Sequence, residues 1–219
     1  MNRTDYLIIR SELSFEPKST GLITRVCQDL FLLILAARLV SVGNYMSYAF
    51  SQILFAAIFF RAFSMMHDAV HGALHANKKW NNWAGIFYGG LSFLPFSTWK
   101  GMHLEHHRWA GNPERDPVMK IVKEFPSMNS WQKGWREFFW KTWVPTLAFL
   151  QQVVFWSVSV SYVVRGKVKG VEMILSVAAP MVFLAWLGWV GRGGIFSNLP
   201  AILIYLFLVE AINFPHHLR

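Results

Sequence analysis

The stretch His67-Asp68-Ala69-Val70-His71-Gly72-Ala73-Leu74-His75 follows directly on an apolar run. Further on comes His103-Leu104-Glu105-His106-His107, and a third group, Asn213-Phe214-Pro215-His216-His217, lies near the end of the sequence. These three groups hold all 8 histidines of the chain. On a helix, spacings of i, i+4, i+8 and i, i+3, i+4 stack side chains on one face. Imidazoles aligned at the ends of membrane segments make a metal centre without sulfur. The plain reading of a single histidine is a capping or surface residue; three clusters together argue against it.

Of the 219 residues, 54% are hydrophobic and 15% charged, and the mean hydropathy is +0.31. Several apolar runs approach the ~20 residues that a helix needs to cross a bilayer. The chain therefore reads as an all-α integral membrane protein forming one domain over residues 1–219. A formal charge of +9 speaks first of orientation and anionic headgroups, because Lys and Arg collect on the cytoplasmic side. No soluble basic module suggests nucleic acid. The lone Cys27 excludes a disulfide framework and a cysteine zinc site. Residues 1–21 lack the apolar core and cleavage site of a signal peptide.

Four spans are expected, at about 22–42, 45–63, 171–190 and 195–212, with residues 64–170 cytoplasmic or interfacial. The first contains Arg25, Asp29 and Arg38, which must pair or snorkel. The register of the second continues into His67, His71 and His75. Residues 83–96 are apolar but too short to cross, and read as an interfacial or re-entrant piece that returns the second cluster to the same surface. Residues 108–137 read as a polar loop. The run 138–164, broken by Lys141, Pro145 and Gln151-Gln152, is the weakest candidate span. It precedes Arg165, Lys167 and Lys169, so it is taken as a membrane-embedded element on the cytoplasmic side. Four spans put all three clusters on one face. The tryptophans that border spans and loops fit aromatic belts. Lys78, Lys79, Arg108 and Lys120 fit orientation charges, with a headgroup or thioester phosphate as the sharper alternative.

Imidazole suits several metals. A zinc hydrolase needs about three protein ligands and a water, so five to eight imidazoles suit two metal ions with room for dioxygen. At this point the motifs become specific. His67-Asp68-x-x-His71-Gly72 with Asn77-Lys78-Lys79 and Asn82-Trp83 resembles the first histidine box of the integral-membrane fatty acid desaturases. His103-x-x-His106-His107-Arg108 with Asn112-Pro113-Glu114-Arg115-Asp116-Pro117 resembles the second. The resemblance, bacterial-like in form, runs from about Tyr45 to the end.

It implies a non-haem di-iron centre and dioxygen as co-substrate, with His67, His71, His103, His106, His107, His216 and His217 as metal ligands. His75 and Asn213 are further ligand candidates, and Asp68, Glu105 and Glu210 are candidates for orienting the ligands. The implied substrate is a fatty acyl lipid or acyl thioester among membrane lipids. The implied electron donor is ferredoxin or a cytochrome b5-like protein, and the implied setting is a bacterial inner membrane with its histidine face cytoplasmic. Asn213-Phe214-Pro215-His216-His217 is either a variant third box or the Asn/His element some members carry upstream of it. The second reading expects a truncated or inactive copy. A lipid or carotenoid hydroxylase or ketolase is the enzymatic alternative. A metal transporter is the other class, although transport sites sit near the midplane.

Overall fold

The computed structural model describes residues 19–112, 114–117, 123–166, 170–191 and 194–216. The described residues form helices and no strand. In chain order these are α1 (Ser19–Ser41), α2 (Tyr45–Val70), α3 (Lys78–Leu91), α4 (Phe96–Trp109), α5 (Ser130–Lys141), α6 (Thr146–Val164), α7 (Val171–Val190) and α8 (Leu199–His216).

One end of the bundle is closed by polar side chains. Asn44 starts α2 by accepting from the Ser47 N–H at 2.8 Å. One turn on, the Tyr48 hydroxyl donates to the Ser197 carbonyl. Gln52 accepts from the Ala201 N–H at 3.3 Å, and its amide donates to Asn198 Oδ1 at 3.3 Å. Asn198, fully buried, donates to the Leu187 carbonyl at 3.0 Å. The first turns of α2 and α8 therefore lie side by side, next to the last turn of α7. α2 and α8 run in the same direction, α7 in the opposite one. At ~1.5 Å rise per residue, α2 and α8 carry their C-terminal ends together to the other end of the bundle.

α3 and α4 form a hairpin whose tip, Ser92–Pro95, sits in the core. Phe93 there packs on Phe59 (ring centroids 4.9 Å apart), Phe183 (5.7 Å) and Tyr205 (5.9 Å). It holds a left-handed φ of 61°, which a bulky residue keeps only when its surroundings fix it. Here they do. Tyr205 donates to the Ser92 carbonyl at 2.9 Å, and the Trp156 indole donates to the Phe93 carbonyl at 2.9 Å. Close packing of the two arms needs Gly85, where a Cβ would sit 2.1 Å from the Phe96 ring.

By length and apolarity, α2, α6, α7 and the segment Ile195–Ile212 can each cross a membrane. This differs from the sequence expectation in one helix: α6 is in the set and α1 is not. α6 is nevertheless tied sideways. Its first N–H groups, at Leu147 and Ala148, meet the Glu210 carboxylate at 3.0 and 3.1 Å. Gln152 then reaches the Ser92 carbonyl, and Ser159 meets Thr98 at 2.6 Å. α1 keeps its charge inside the bundle, where Asp29, 1% exposed, accepts from Arg61 at 2.6 Å and from the Tyr88 hydroxyl at 2.8 Å. Within 108–137, expected as a loop, the described residues include the end of α4 at Trp109 and the start of α5 at Ser130.

Candidate metal centre

His67 and His71 lie one turn apart at the end of α2, and His103 and His107 one turn apart on α4. The hairpin turns α4 back along α2, as shown by Phe63 against Trp99 (5.8 Å) and His67 against His103 (4.8 Å). The four imidazoles converge until one ligand nitrogen from each lies within 4.8 Å of all the others. The Nε2 atoms of His71 and His107 are each 3.0 Å from Nε2 of His103. A metal–nitrogen bond of about 2.1 Å puts adjacent ligands roughly 3 Å apart. The donor set therefore fits a metal of the kind imidazole binds.

Burial chiefly, then the neighbouring imidazoles His67 and His107, hold the His71 pKa below its ordinary value. The same causes, burial first, push His103 down to about 3. His107 is lowered by burial and by His106 and His67. A metal binds the neutral ring, and this site favours it.

His106 stands apart from the four, with its ring 5.6 Å from that of His107. Its Nδ1 lies 2.8 Å from Asp116 Oδ1, and the Asp116 side chain is 1% exposed. The Asn112 turn brings that carboxylate back, the Asp116 N–H donating to the Asn112 carbonyl at 3.0 Å. Trp99, 6% exposed, stacks flat on His103 with centroids 4.4 Å apart and planes at 12°. Neither Asp116 nor Trp99 was singled out from the sequence. The signal available was position: Trp99 is one helical turn before His103, and Asp116 lies in the acidic tail of the second motif.

The other candidates sort plainly. His75 leaves the helical face because Gly72, at φ 72°, ends α2. Its Nδ1 accepts from the Asn77 N–H at 2.9 Å and its ring lies by Trp80. Asn81, 3% exposed, clamps that loop by bonding the Leu74 and His75 N–H groups. Asp68 is 3.5 Å from His67 Nδ1, with both side chains substantially exposed, so the contact is weak. Glu105 binds Arg108 and the Trp109 indole. Glu210 accepts from the first turn of α6. Asn213 and His216 belong to the backbone of α8, which runs toward the same end of the bundle as α2. Their side chains, and all of His217 and Lys120, lie outside the described residues.

The fatty acid desaturase family model matches residues 44–219. A Delta(8)-fatty-acid desaturase of Helianthus annuus is 29% identical over 124 residues, 53% of this chain and 27% of that protein. An sn-1 acyl-lipid omega-3 desaturase (ferredoxin) of Synechocystis sp. is 29% identical over 92 residues, 42% of this chain and 25% of that one. The chain thus matches about a quarter of the length of these curated relatives. No solved structure matches. With the apolar helices described above and a family match over most of its length, this chain is a membrane protein and belongs to the fatty acid desaturase family.

Proposed function

We propose that the protein introduces a double bond into a fatty acyl chain, using two irons and dioxygen. The observation that carries this reading is the convergence of His67, His71, His103 and His107 at the end of the bundle toward which α8 also runs. Those four would hold one metal, and His106, oriented by Asp116, would contribute to the second together with His216 and His217. When bound, the irons supply the activation of dioxygen needed to break unactivated C–H bonds. The chain's own residues favour the neutral rings of His71, His103 and His107, fix His106 through Nδ1 and close one side of His103 with Trp99.

The crossing helices are α1, α2, α7 and α8, with α3–α4 re-entrant. α6 is embedded across the hairpin with both ends on the histidine face. The tie from Glu210 to the start of α6 supports this, as does the contact of Glu172, at the start of α7, with Asn82 at 3.5 Å. The six residues between α6 and α7 reach at most ~25 Å, less than the ~30 Å hydrocarbon core. Arg165, Lys167 and Lys169 make that face cytoplasmic, in a bacterial inner membrane. The substrate is an acyl lipid or acyl thioester. Ferredoxin is the donor of choice because the Synechocystis relative's name carries it, with a cytochrome b5-like protein as the alternative.

The test is expression in a host lacking the activity, with mass spectrometry of labelled acyl chains. Product lighter by two hydrogens supports desaturation. Product heavier by one oxygen supports a hydroxylase and contradicts it.

A further inference from the structure

The polar segment after the second histidine cluster contains a helix with two unlike faces. At 100° per residue, Trp131, Trp135, Phe138 and Phe139 of α5 share one side, and Lys133, Arg136, Glu137 and Lys141 share the other, with Trp140 at a register position among them. The aromatic side is open: Trp131 is 71% exposed, Trp135 44%, Phe138 52% and the following Trp143 69%. A contiguous aromatic stripe of this size is a contact surface rather than ordinary surface.

We propose that α5 lies in the plane of the membrane, its aromatic stripe in the headgroup–acyl boundary and its basic side on anionic headgroups, on the face where the histidines gather. Three observations select a bilayer as the occupant. The chain leaves α5 through Trp143, whose ring lies 5.4 Å from that of Phe207 on the apolar helix α8. It then enters α6, whose first turn is held by Glu210 near the end of α8. The stripe therefore continues the apolar surface of the bundle at its rim. Trp and Phe above a Lys/Arg face are the composition of an interfacial helix. Lys133, Arg136 and Lys141 outnumber the single acid Glu137, so the polar side matches negative charge. This inference rests on membrane residence and not on the reaction proposed above.

The experiment uses the whole protein in lipid nanodiscs containing phosphatidylglycerol and phosphatidylcholine brominated near the headgroup. Fluorescence lost in the variant Trp131→Gln/Trp135→Gln is assigned to the stripe by difference. That component should be quenched at least about twofold by shallow bromines and little by aqueous iodide. Quenching by iodide alone would leave α5 in water and overturn the proposal. Quenching by neither would put the stripe against protein, such as a second copy, and overturn it too. Hydrogen exchange of residues 130–141 in the unmodified protein gives a readout that needs no variant. Exchange should slow several-fold when phosphatidylcholine discs gain phosphatidylglycerol, and equal rates would remove the anionic part of the claim.

Discussion

His106 and Asp116 meet at 2.8 Å through Nδ1 and Oδ1, with the carboxylate sealed from solvent. A carboxylate on Nδ1 selects the tautomer whose Nε2 carries the lone pair that a metal needs, and makes that nitrogen more basic. Asp116→Asn keeps the shape but weakens this orientation. Cobalt titration of the purified apoprotein should show metal affinity roughly 10–100-fold lower. Wild-type affinity in the variant would deny Asp116 this role.

Trp99 holds His103 by a flat stack at 4.4 Å. Such a pair contributes about 1 kcal/mol beyond area burial. Trp99→Phe should keep most of it, while Trp99→Leu should shift the cobalt d–d bands and weaken binding several-fold. Identical spectra for the leucine variant and wild type would show the stack to be incidental to the centre.

Protonation should trouble this site less than free imidazole, since His103 titrates near 3 and His71 and His107 below their ordinary value. A histidine whose folded pKa lies below its unfolded one adds stability that is complete above about 6.5. That contribution is lost as pH falls through the folded pKa. Apoprotein melting temperatures should therefore drop between pH 6.5 and pH 4, and His103→Gln should flatten that slope. An unchanged slope in the variant would contradict the assignment.

Asp29 ties α1 to α2 and α3 through Arg61 and Tyr88. Asp29 is buried and Arg61 partly exposed, so losing the acid costs roughly 1–3 kcal/mol, between the values for a surface and a buried pair. Asp29→Ala should lower the melting temperature in detergent markedly, and Tyr88→Phe less, because Arg61 still neutralises the acid. A larger loss for Tyr88→Phe would reverse that ranking.

Much of this was legible from helical periodicity and charge. The spacings of His67 with His71 and of His103 with His107 put each pair on one face. The run after Trp83 is too short to cross a bilayer, and the structure folds it into a helical hairpin whose tip at Phe93 lies in the core. His75 fitted the same periodicity, but a glycine at positive φ ended the helix first, and periodicity does not report a stop. Glu210 is by position a candidate for orienting the ligands, whereas it accepts from the backbone N–H groups of Leu147 and Ala148 in α6, which no side-chain pattern reveals. Asp116 depends on a turn that folds back ten residues to His106. α5 was hidden because its charges gave residues 108–137 the composition of a loop, although the aromatic period was present.

The central claim is that helices α2 and α4 jointly grip metal through four imidazoles. Iron content of the purified protein, measured beside His103→Ala and His75→Ala, tests it most directly. Wild type and His75→Ala should hold the same iron per chain, and His103→Ala should lose at least the iron that the four imidazoles grip. Wild-type iron content in His103→Ala, or equal loss from His75→Ala, would contradict the claim.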